Sequence, residues 1–301
     1  MSLSKTKSTP PVASPVPVVV ADTTNTCGEN PLWHPQEKKL YWLDIPAGKL
    51  FRYDPATNTH EVAFEHNEAI GGFTFQADGS LLLFMARGHI AVWRDGKIIK
   101  TVLAEIPDER TTRFNDVIAD PQGRVFCGTM ATKERLGRLY RLDRDGRLTL
   151  LLEGIGCSNG MGFTADLKTL YYTDSGAYKV YRFDYDQSTG AITNQRVFVE
   201  LTKETGLPDG MTVDANGDVW TAVWEGSCVI RFDPQGRELQ RFKLPSNRIT
   251  SVIFAGENLA DLYVTSAGGE DRAANGVSAG ALFRLNTGAR GVAEFVSRIG
   301  L

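Results

Sequence analysis

Six copies of a short pattern constrain the fold of this chain more than any other feature. Each copy has a turn, an apolar strand-like run and a second such run that ends near an acidic or polar turn, as in the segment EKKLYWLDIPAGKLFRYD. A fixed period of this kind indicates a repeat architecture in which each unit is one supersecondary motif. The first apolar residues of the copies follow one another at intervals of 41, 44, 45, 49 and 43 residues: Leu40, Leu81, Val125, Leu170, Val219 and Leu262.

The segments between these copies are also strand-like, because they alternate apolar and polar residues between Gly, Asp or Asn turns. Helical periodicity is nearly absent. A unit of about 45 residues has room for four short strands, and six units in a ring remove most exposed sheet edges by closure. The sequence therefore predicts an all-β fold, a six-bladed β-propeller with four antiparallel strands per blade. WD and kelch arrays fit less well, since the blades do not end in Trp-Asp and kelch repeats are about 50 residues long.

The N-terminal region divides into two parts. Residues 1–14 are rich in Ser, Pro and Lys and lack the apolar stretch and cleavage site of a secretory signal, so we expect a disordered or vector-derived tail. The next segment, VPVVVAD at residues 16–22, is predicted to pair with the last blade and to close the ring as an N-terminal strand. Residues 15–301 are therefore expected to form a single domain.

Composition narrows the possible partners and the compartment. The net charge of -3 with interspersed signs does not indicate a nucleic-acid surface, and no run approaches the roughly 18 apolar residues of a membrane span. We expect neither a nucleic-acid nor a membrane partner, and no obligatory protein partner is evident. The cysteines are scattered and form no CxxC motif, which is typical of buried thiols in a reducing compartment and predicts a cytoplasmic protein: Cys27, Cys127, Cys157 and Cys228.

Polar residues recur at one phase of the repeat, ten or eleven positions before the first apolar residue. This phase is the start of the first strand of each blade, and in a propeller the first strand lines the central channel. We therefore expect the four polar side chains to meet at one mouth of the channel. Two of the six units carry Ile70–Gly71 and Ser251–Val252 at this phase, and the other four carry Glu29, Asn115, Asn159 and Asp209.

A divalent cation would explain this convergence. Without a cation the carboxylates of Glu29 and Asp209 would repel each other. The candidate donors are all oxygens and no histidine falls in the phase, so hard ions are favoured over a His-rich zinc site, although oxygen sites also accept zinc. The alternative is that these are ordinary turn and strand-start residues. Turns alone explain four polar residues in one phase less well. We predict one divalent metal ion, Ca²⁺ in first place, with Mg²⁺, Mn²⁺, Zn²⁺ or Fe²⁺ as alternatives.

Several motifs, in this order along the chain, resemble the senescence marker protein, regucalcin and gluconolactonase family. They include GENPLW at 28–33, RFNDVIADPQGRVFCGTM at 113–130, SNGMGF at 158–163 and LPDGM at 207–211, and the similarity runs from about Cys27 to near the C-terminus. The resemblance implies a six-bladed propeller with a divalent metal at the channel mouth and an enzyme that hydrolyses sugar lactones.

The resemblance also implies roles for particular residues. The family's metal ligands fall on Glu29, Asn159 and Asp209, which the repeat phase also selects, and its substrate-contacting residues fall on Arg113 and Asn115. Members of the family often carry a substrate-binding glutamate in the loop after GTM. That loop is short here, ATKERLGR at 131–138 with Lys133 and Glu134 as the nearest candidates, so the sugar specificity is left open.

These residues suit the hydrolysis of an aldonolactone such as gluconolactone to the aldonic acid. A metal polarises the ester carbonyl and activates water, and Asp209 is predicted to accept the water proton. The Arg113 guanidinium suits sugar hydroxyls or developing oxyanion charge. Two alternatives are an organophosphate or other ester hydrolase on the same metal site and a non-catalytic Ca²⁺-binding regulatory protein. A fixed guanidinium beside the ligands favours an enzyme.

Strand alternation divides the motif RFND into two pairs. Arg113 and Asn115 are expected on the channel face, whereas Phe114 and Asp116 are expected on the opposite face, for packing and for bracing the loop.

Overall fold

A computed structural model describes residues 15–301, so the tail predicted for residues 1–14 lies outside the described residues. Six four-stranded antiparallel sheets make up nearly all of the regular structure, which confirms the predicted six-bladed, all-β architecture. We number these sheets 1 to 6 in chain order. Three short 3-10 helices interrupt the connections, at Pro107–Glu109, Ser175–Ala177 and Ala273–Asn275.

Sheets 1 to 5 each use four consecutive strands. The strands of sheets 1 and 2 are β2 Gly28–His34, β3 Lys39–Asp44, β4 Lys49–Asp54, β5 Thr59–Glu65, β6 Ile70–Phe75, β7 Leu81–Met85, β8 Ile90–Arg94 and β9 Lys97–Leu103. Those of sheets 3 and 4 are β10 Phe114–Ala119, β11 Val125–Thr129, β12 Gly137–Leu142, β13 Leu148–Ile155, β14 Ser158–Phe163, β15 Thr169–Asp174, β16 Lys179–Asp186 and β17 Ala191–Glu200. Those of sheet 5 are β18 Leu207–Val213, β19 Val219–Trp224, β20 Cys228–Phe232 and β21 Glu238–Lys243.

Sheet 6 combines the two ends of the chain. Its strands are β22 Ile249–Ala255, β23 Asp261–Ser266, β24 Leu282–Asn286 and, at the outer edge, β1 Val18–Ala21. β1 runs antiparallel to β24, with Val18 opposite Arg284, and Ala21 is buried. The N-terminal segment thus pairs with the last sheet. That this pairing is what holds the ring closed stays a prediction.

The first strand of each sheet lies innermost, where it contacts the first strands of both neighbouring sheets, and β22 of sheet 6 meets β2 of sheet 1. The apolar core lies between adjacent sheets. Trp220 of sheet 5, for example, stacks on Phe242 and meets Phe254 of sheet 6 edge to face. The six repeat-anchor residues stand at the first or second position of each second strand and are all buried.

Every inner strand carries one extra residue relative to the second strand of its sheet, at the phase where the polar residues recur. In β14 the register shifts between Asn159 and Met161, and in β18 it shifts between Pro208 and Met211. The same shift occurs in β2, β6, β10 and β22. A bulge of this kind bends the strand and redirects the side chains around it. It therefore sets the direction of the residues at the channel mouth.

Candidate active site

A cavity of about 250 Å³ opens at the mouth of the channel where the inner strands begin. All four polar residues of the repeat phase line it, and each is only 5% exposed. The predicted convergence is therefore confirmed, although 180 positions separate the first of these residues from the last. The lining residues are Cys27, Glu29, Arg113, Asn115, Met130, Cys157, Asn159, Ser175, Gly176, Leu207, Asp209 and Trp224.

A chain of hydrogen bonds runs from sheet 3 to sheet 4 along the cavity. Arg113 Nη1 donates to Asn115 Oδ1 at 2.6 Å and to the carbonyl oxygen of Phe114 at 2.8 Å. Asn115 Nδ2 in turn donates to Asn159 Oδ1 at 3.0 Å and to the carbonyl oxygen of Ser158 at 2.7 Å. Because the Asn115 amide oxygen accepts the hydrogen bond from the Arg113 guanidinium, the NH₂ group of Asn115 faces sheet 4.

The Asn159 side chain is held from its other end by sheet 4 and sheet 5. Its Nδ2 donates to Ser175 Oγ at 2.9 Å, and that hydroxyl donates to the carbonyl oxygen of Pro208 at 2.5 Å. Sequence reasoning did not select Ser175, which follows β15 and lines the cavity. With Nδ2 committed to Ser175, Oδ1 of Asn159 is the atom available to the cavity.

Two carboxylates, Glu29 and Asp209, lie buried in this cavity. Burial in first place, and then the carboxylate of Asp116, raise the pKa of Glu29 to about 8, while its hydrogen bond from Asn30 N and the charge of Arg113 act in the opposite direction. Burial, followed by the charges of Glu29 and Asp116, raises the pKa of Asp209 well above its usual range. The protein thus brings acidic groups together without enough positive charge to balance them.

The donors fit a cation that prefers oxygen ligands. Among residues 15–301, Asp209 Oδ1 is buried and accepts no hydrogen bond, which is costly for a carboxylate unless something else compensates it. No group of three or more His, Cys, Asp or Glu side chains in that range is placed to hold a metal. A metal here would therefore need the Asn159 amide oxygen beside the two carboxylates, a donor set that suits Ca²⁺ or Mg²⁺.

Asp116 departs from the predicted strand alternation. Phe114 packs in the core as expected, edge to face with Phe84, and Asp116 does accept a backbone hydrogen bond, from Val117 N at 3.1 Å. However, the extra residue in β10 breaks the alternation, so Asp116 faces the channel rather than the opposite side. It lines a smaller cavity of about 40 Å³ further along the channel, together with Glu294 from the C-terminal segment.

Two other expectations are altered by the structure. None of the described residues 131–138 lines the cavity. Arg135 forms an ion pair with the buried Glu109, which ties this loop to the preceding 3-10 helix, and Lys133 and Glu134 are exposed.

The four cysteines are free, but only Cys127 and Cys228 are buried. The expectation of buried thiols is wrong for the other two because they line the cavity. In residues 15–301, no helix is long and apolar enough to span a membrane.

Several residues that line the cavity were missed by sequence reasoning, although the spacing of some of them along the chain could have predicted them. Cys27, Cys157 and Leu207 stand two residues before Glu29, Asn159 and Asp209, as Arg113 does before Asn115. The period of two along a strand places such residues on one face. Met130 and Trp224 follow no such rule, because they lie at or just beyond the ends of β11 and β19 and enter the cavity only through the sheet packing.

The fold and this site define a six-bladed propeller with a carboxylate-lined cavity at the channel mouth. A family profile described as SMP-30/Gluconolactonase/LRE-like region matches residues 27–268. The chain belongs to this family, as its motifs predicted.

Individual relatives agree with this assignment. The chain is 50% identical over 289 residues to pentonolactonase XacC of Haloferax volcanii. The aligned residues make up 94% of this chain and 98% of the relative. It is 37% identical to regucalcin of Xenopus laevis, over 82% of this chain and 85% of that protein. The solved structure of a calcium-binding protein, regucalcin, from Agrobacterium tumefaciens superimposes with a TM-score of 0.86 at 27% identity, over 95% of this chain and 98% of the other. The comparisons confirm the predicted family and enzyme class, a lactonase.

Proposed function

We propose that this chain is a metal-dependent hydrolase that opens aldonolactones to aldonic acids, with pentonolactones among its substrates. The observation that carries the proposal is the buried, unpartnered Oδ1 of Asp209, which lies in one cavity with the Glu29 carboxylate and the Asn159 amide. A relative named as a pentonolactonase, 50% identical over nearly the whole chain, supports the substrate class.

The residues divide the chemical tasks between them. Glu29, Asn159 and Asp209 would hold the metal. When bound, a divalent cation supplies a Lewis acid for the lactone carbonyl and lowers the pKa of water. Asp209 is the candidate to take the proton of the attacking water, because its Oδ1 has no other partner among the described residues.

Arg113 is the candidate to bind the substrate. Its Nη1 is committed to Asn115 and to the Phe114 carbonyl, while its Nε and Nη2 donate to no described residue. These donors can bind ring hydroxyls or the oxyanion that forms when water adds to the carbonyl. Asn115 then acts as the element that fixes the guanidinium relative to Asn159.

The size of the cavity supports a small substrate. Its volume of about 250 Å³ lies below the range of roughly 300–1,000 Å³ that is usual for sites that bind drug-sized ligands. A monosaccharide lactone is smaller than such ligands. We therefore favour a single sugar ring over a lactone that carries a long substituent.

The test is acid release in weak buffer with a pH indicator. Protein stripped with EDTA would be compared with protein reconstituted with Ca²⁺, Mg²⁺, Mn²⁺ or Zn²⁺, on D-xylono-1,4-lactone and D-glucono-1,5-lactone. We expect acceleration over spontaneous hydrolysis that EDTA abolishes and a metal restores. No metal-dependent acceleration on any aldonolactone would contradict the proposal. Turnover of a phosphotriester alone would favour the ester-hydrolase alternative, and calorimetric Ca²⁺ binding without turnover would favour a regulatory protein.

A further inference from the structure

Trp224 stands apart from most of the other tryptophans of the chain. Trp42, Trp93 and Trp220 are buried in the interfaces between sheets. Trp33 and Trp224 are partly exposed, but Trp33 packs against the apolar cluster between sheets 6 and 1, whereas Trp224 lines the cavity. A large aromatic ring beside the buried carboxylates therefore needs an explanation other than core packing.

The local backbone fixes Trp224 firmly. It ends β19, opposite Leu207 of β18. The turn that follows contains two residues in the left-handed region, Glu225 with φ 59° and Ser227 with φ 52°. Such a conformation is unfavourable for residues other than glycine and is retained where the surroundings impose it. Here Ser227 N donates to the carbonyl oxygen of Asn247 at 3.1 Å, which ties the turn to the segment before β22.

A guanidinium covers one face of the indole. Arg248 Cζ lies 4.9 Å from the centroid of the Trp224 ring, within the range of a cation–π contact. Arg248 Nη2 also lies 3.5 Å from Glu225 Oε1, in the turn that follows the tryptophan. The carbonyl oxygen of Arg248 accepts a hydrogen bond from Ala267 N at 2.9 Å, so its backbone is anchored in sheet 6.

The two sides of the cavity differ in chemistry. Arg113 from sheet 3 offers hydrogen-bond donors, while Leu207 and Trp224 from sheet 5 offer apolar surface, and sheet 4 lies between them. A sugar lactone has the same two-sided character, with hydroxyl groups at its edge and carbon-bound hydrogens on the face of its ring. These hydrogens are slightly positive and suit the negative face of an aromatic ring.

We propose that Trp224 is a specificity-determining residue on which the C–H face of the lactone ring stacks, and that Arg248 is a positioning residue that holds the indole in place. The inference rests on the proposed function. It assigns the substrate class as a small lactone ring that has hydroxyl groups at its edge and an apolar C–H face. Stacking of this kind binds ground state and transition state alike, so its loss raises KM and leaves kcat nearly unchanged.

The experiment uses the metal-loaded full chain and D-xylono-1,4-lactone. We expect Trp224→Ala to raise KM about tenfold with kcat nearly unchanged, and Trp224→Phe to stay within about threefold of the wild type. Arg248→Ala and Arg248→Lys should each raise KM about threefold, because lysine lacks the planar group that stacks. Trp33→Ala is the matched control, since it removes a partly exposed tryptophan outside the cavity and should leave KM unchanged.

Fluorescence supplies a readout that stability alone would not move. Addition of the lactone should change the tryptophan emission of the wild type and of Trp33→Phe, but not that of Trp224→Phe. An unchanged KM in Trp224→Ala, an equal rise in Trp33→Ala, or a lactone-dependent signal that survives in Trp224→Phe would each overturn the role of Trp224. Wild-type KM in Arg248→Ala would overturn the positioning role. If the wild type hydrolyses no lactone, the proposed function fails, and the fluorescence titration still decides whether Trp224 binds the ring.

Discussion

Asn115 Nδ2 donates to Asn159 Oδ1 at 3.0 Å, a contact that joins the inner strands of sheets 3 and 4 across 44 positions of the chain. The oxygen that accepts this bond is also the atom by which Asn159 would bind a cation. A residue assigned to substrate binding and a residue assigned to metal binding therefore share one hydrogen bond. The substrate site and the metal site should respond together when either of them is changed.

The variant Asn115→Ala tests this connection. It removes the donor to Asn159 and the acceptor for Arg113 while leaving the carboxylates in place. Loss of a partner that orients a metal ligand typically costs about 10- to 100-fold in affinity or activity, and we expect kcat/KM on an aldonolactone to fall by that amount. Calorimetry should show weaker metal binding in the same variant. Activity and metal affinity close to those of the wild type would show that the contact carries no coupling.

Asp209→Asn should separate the stability of the metal-free protein from its activity. In EDTA the wild type keeps a buried carboxyl group that has no partner for Oδ1 and lies near the charges of Glu29 and Asp116. An amide cannot ionise, so it should raise Tm by several degrees, at about 2–4 °C per kcal/mol. Turnover should be lost, and added metal should no longer raise Tm. Full turnover with metal bound would rule out Asp209 as the base.

Asp214→Asn is the matched control in the same sheet. Asp214 is also buried, but its carboxylate accepts hydrogen bonds from Asn216 N, Asp218 N and Trp220 Nε1. Removing a charge that is fully hydrogen bonded should lower Tm, since charge-assisted bonds are lost. A rise in Tm in both variants would mean that the missing partner of Asp209 is not the cause.

Glu294→Gln should change how stability depends on pH. Burial, and then the carboxylate of Asp116, raise the pKa of Glu294 from 4.5 to about 7, although a hydrogen bond with Thr212 partly offsets this. A raised pKa means that the folded protein binds the proton more tightly than the unfolded chain. The stabilisation is thus present below pH 4.5 and is lost as the pH rises through 7.

Urea unfolding in EDTA at several pH values measures this effect. Relative to the wild type, Glu294→Gln should gain about 3 kcal/mol of unfolding free energy at pH 8 and little at pH 4.5. Glu204→Gln, at an exposed position between β17 and β18, is the control and should show no such gain at pH 8. A gain for Glu294→Gln that does not depend on pH would contradict a half-buried, protonated carboxyl group.

Deletion of residues 1–22 tests whether β1 holds the ring closed. Its removal exposes the edge of β24 and uncovers apolar groups near Ala21, so Tm should fall by many degrees or the chain should aggregate through the open edge. Deletion of residues 1–14 is the control and should leave Tm unchanged if these residues form the predicted tail. Equal Tm values for the two deletions would show that closure does not depend on this strand.

The period of the repeat determined the architecture from the sequence alone. Each unit of about 45 residues is one sheet that cannot bury both of its faces by itself, so regular repetition requires that the sheets pack against one another. The same period selected Glu29, Asn159 and Asp209, because residues at one phase of a closed ring must meet at its axis.

Only the tertiary structure decided the features that break this regularity. The bulge in β10 turns Asp116 toward the channel, where strict alternation had placed it on the opposite face. The roles of Ser175 and Trp224 depend on which atoms of neighbouring sheets come within contact distance, and that is not periodic in the sequence. Periodicity fixes which residues share a face, whereas hydrogen bonds and packing between sheets fix where each side chain points.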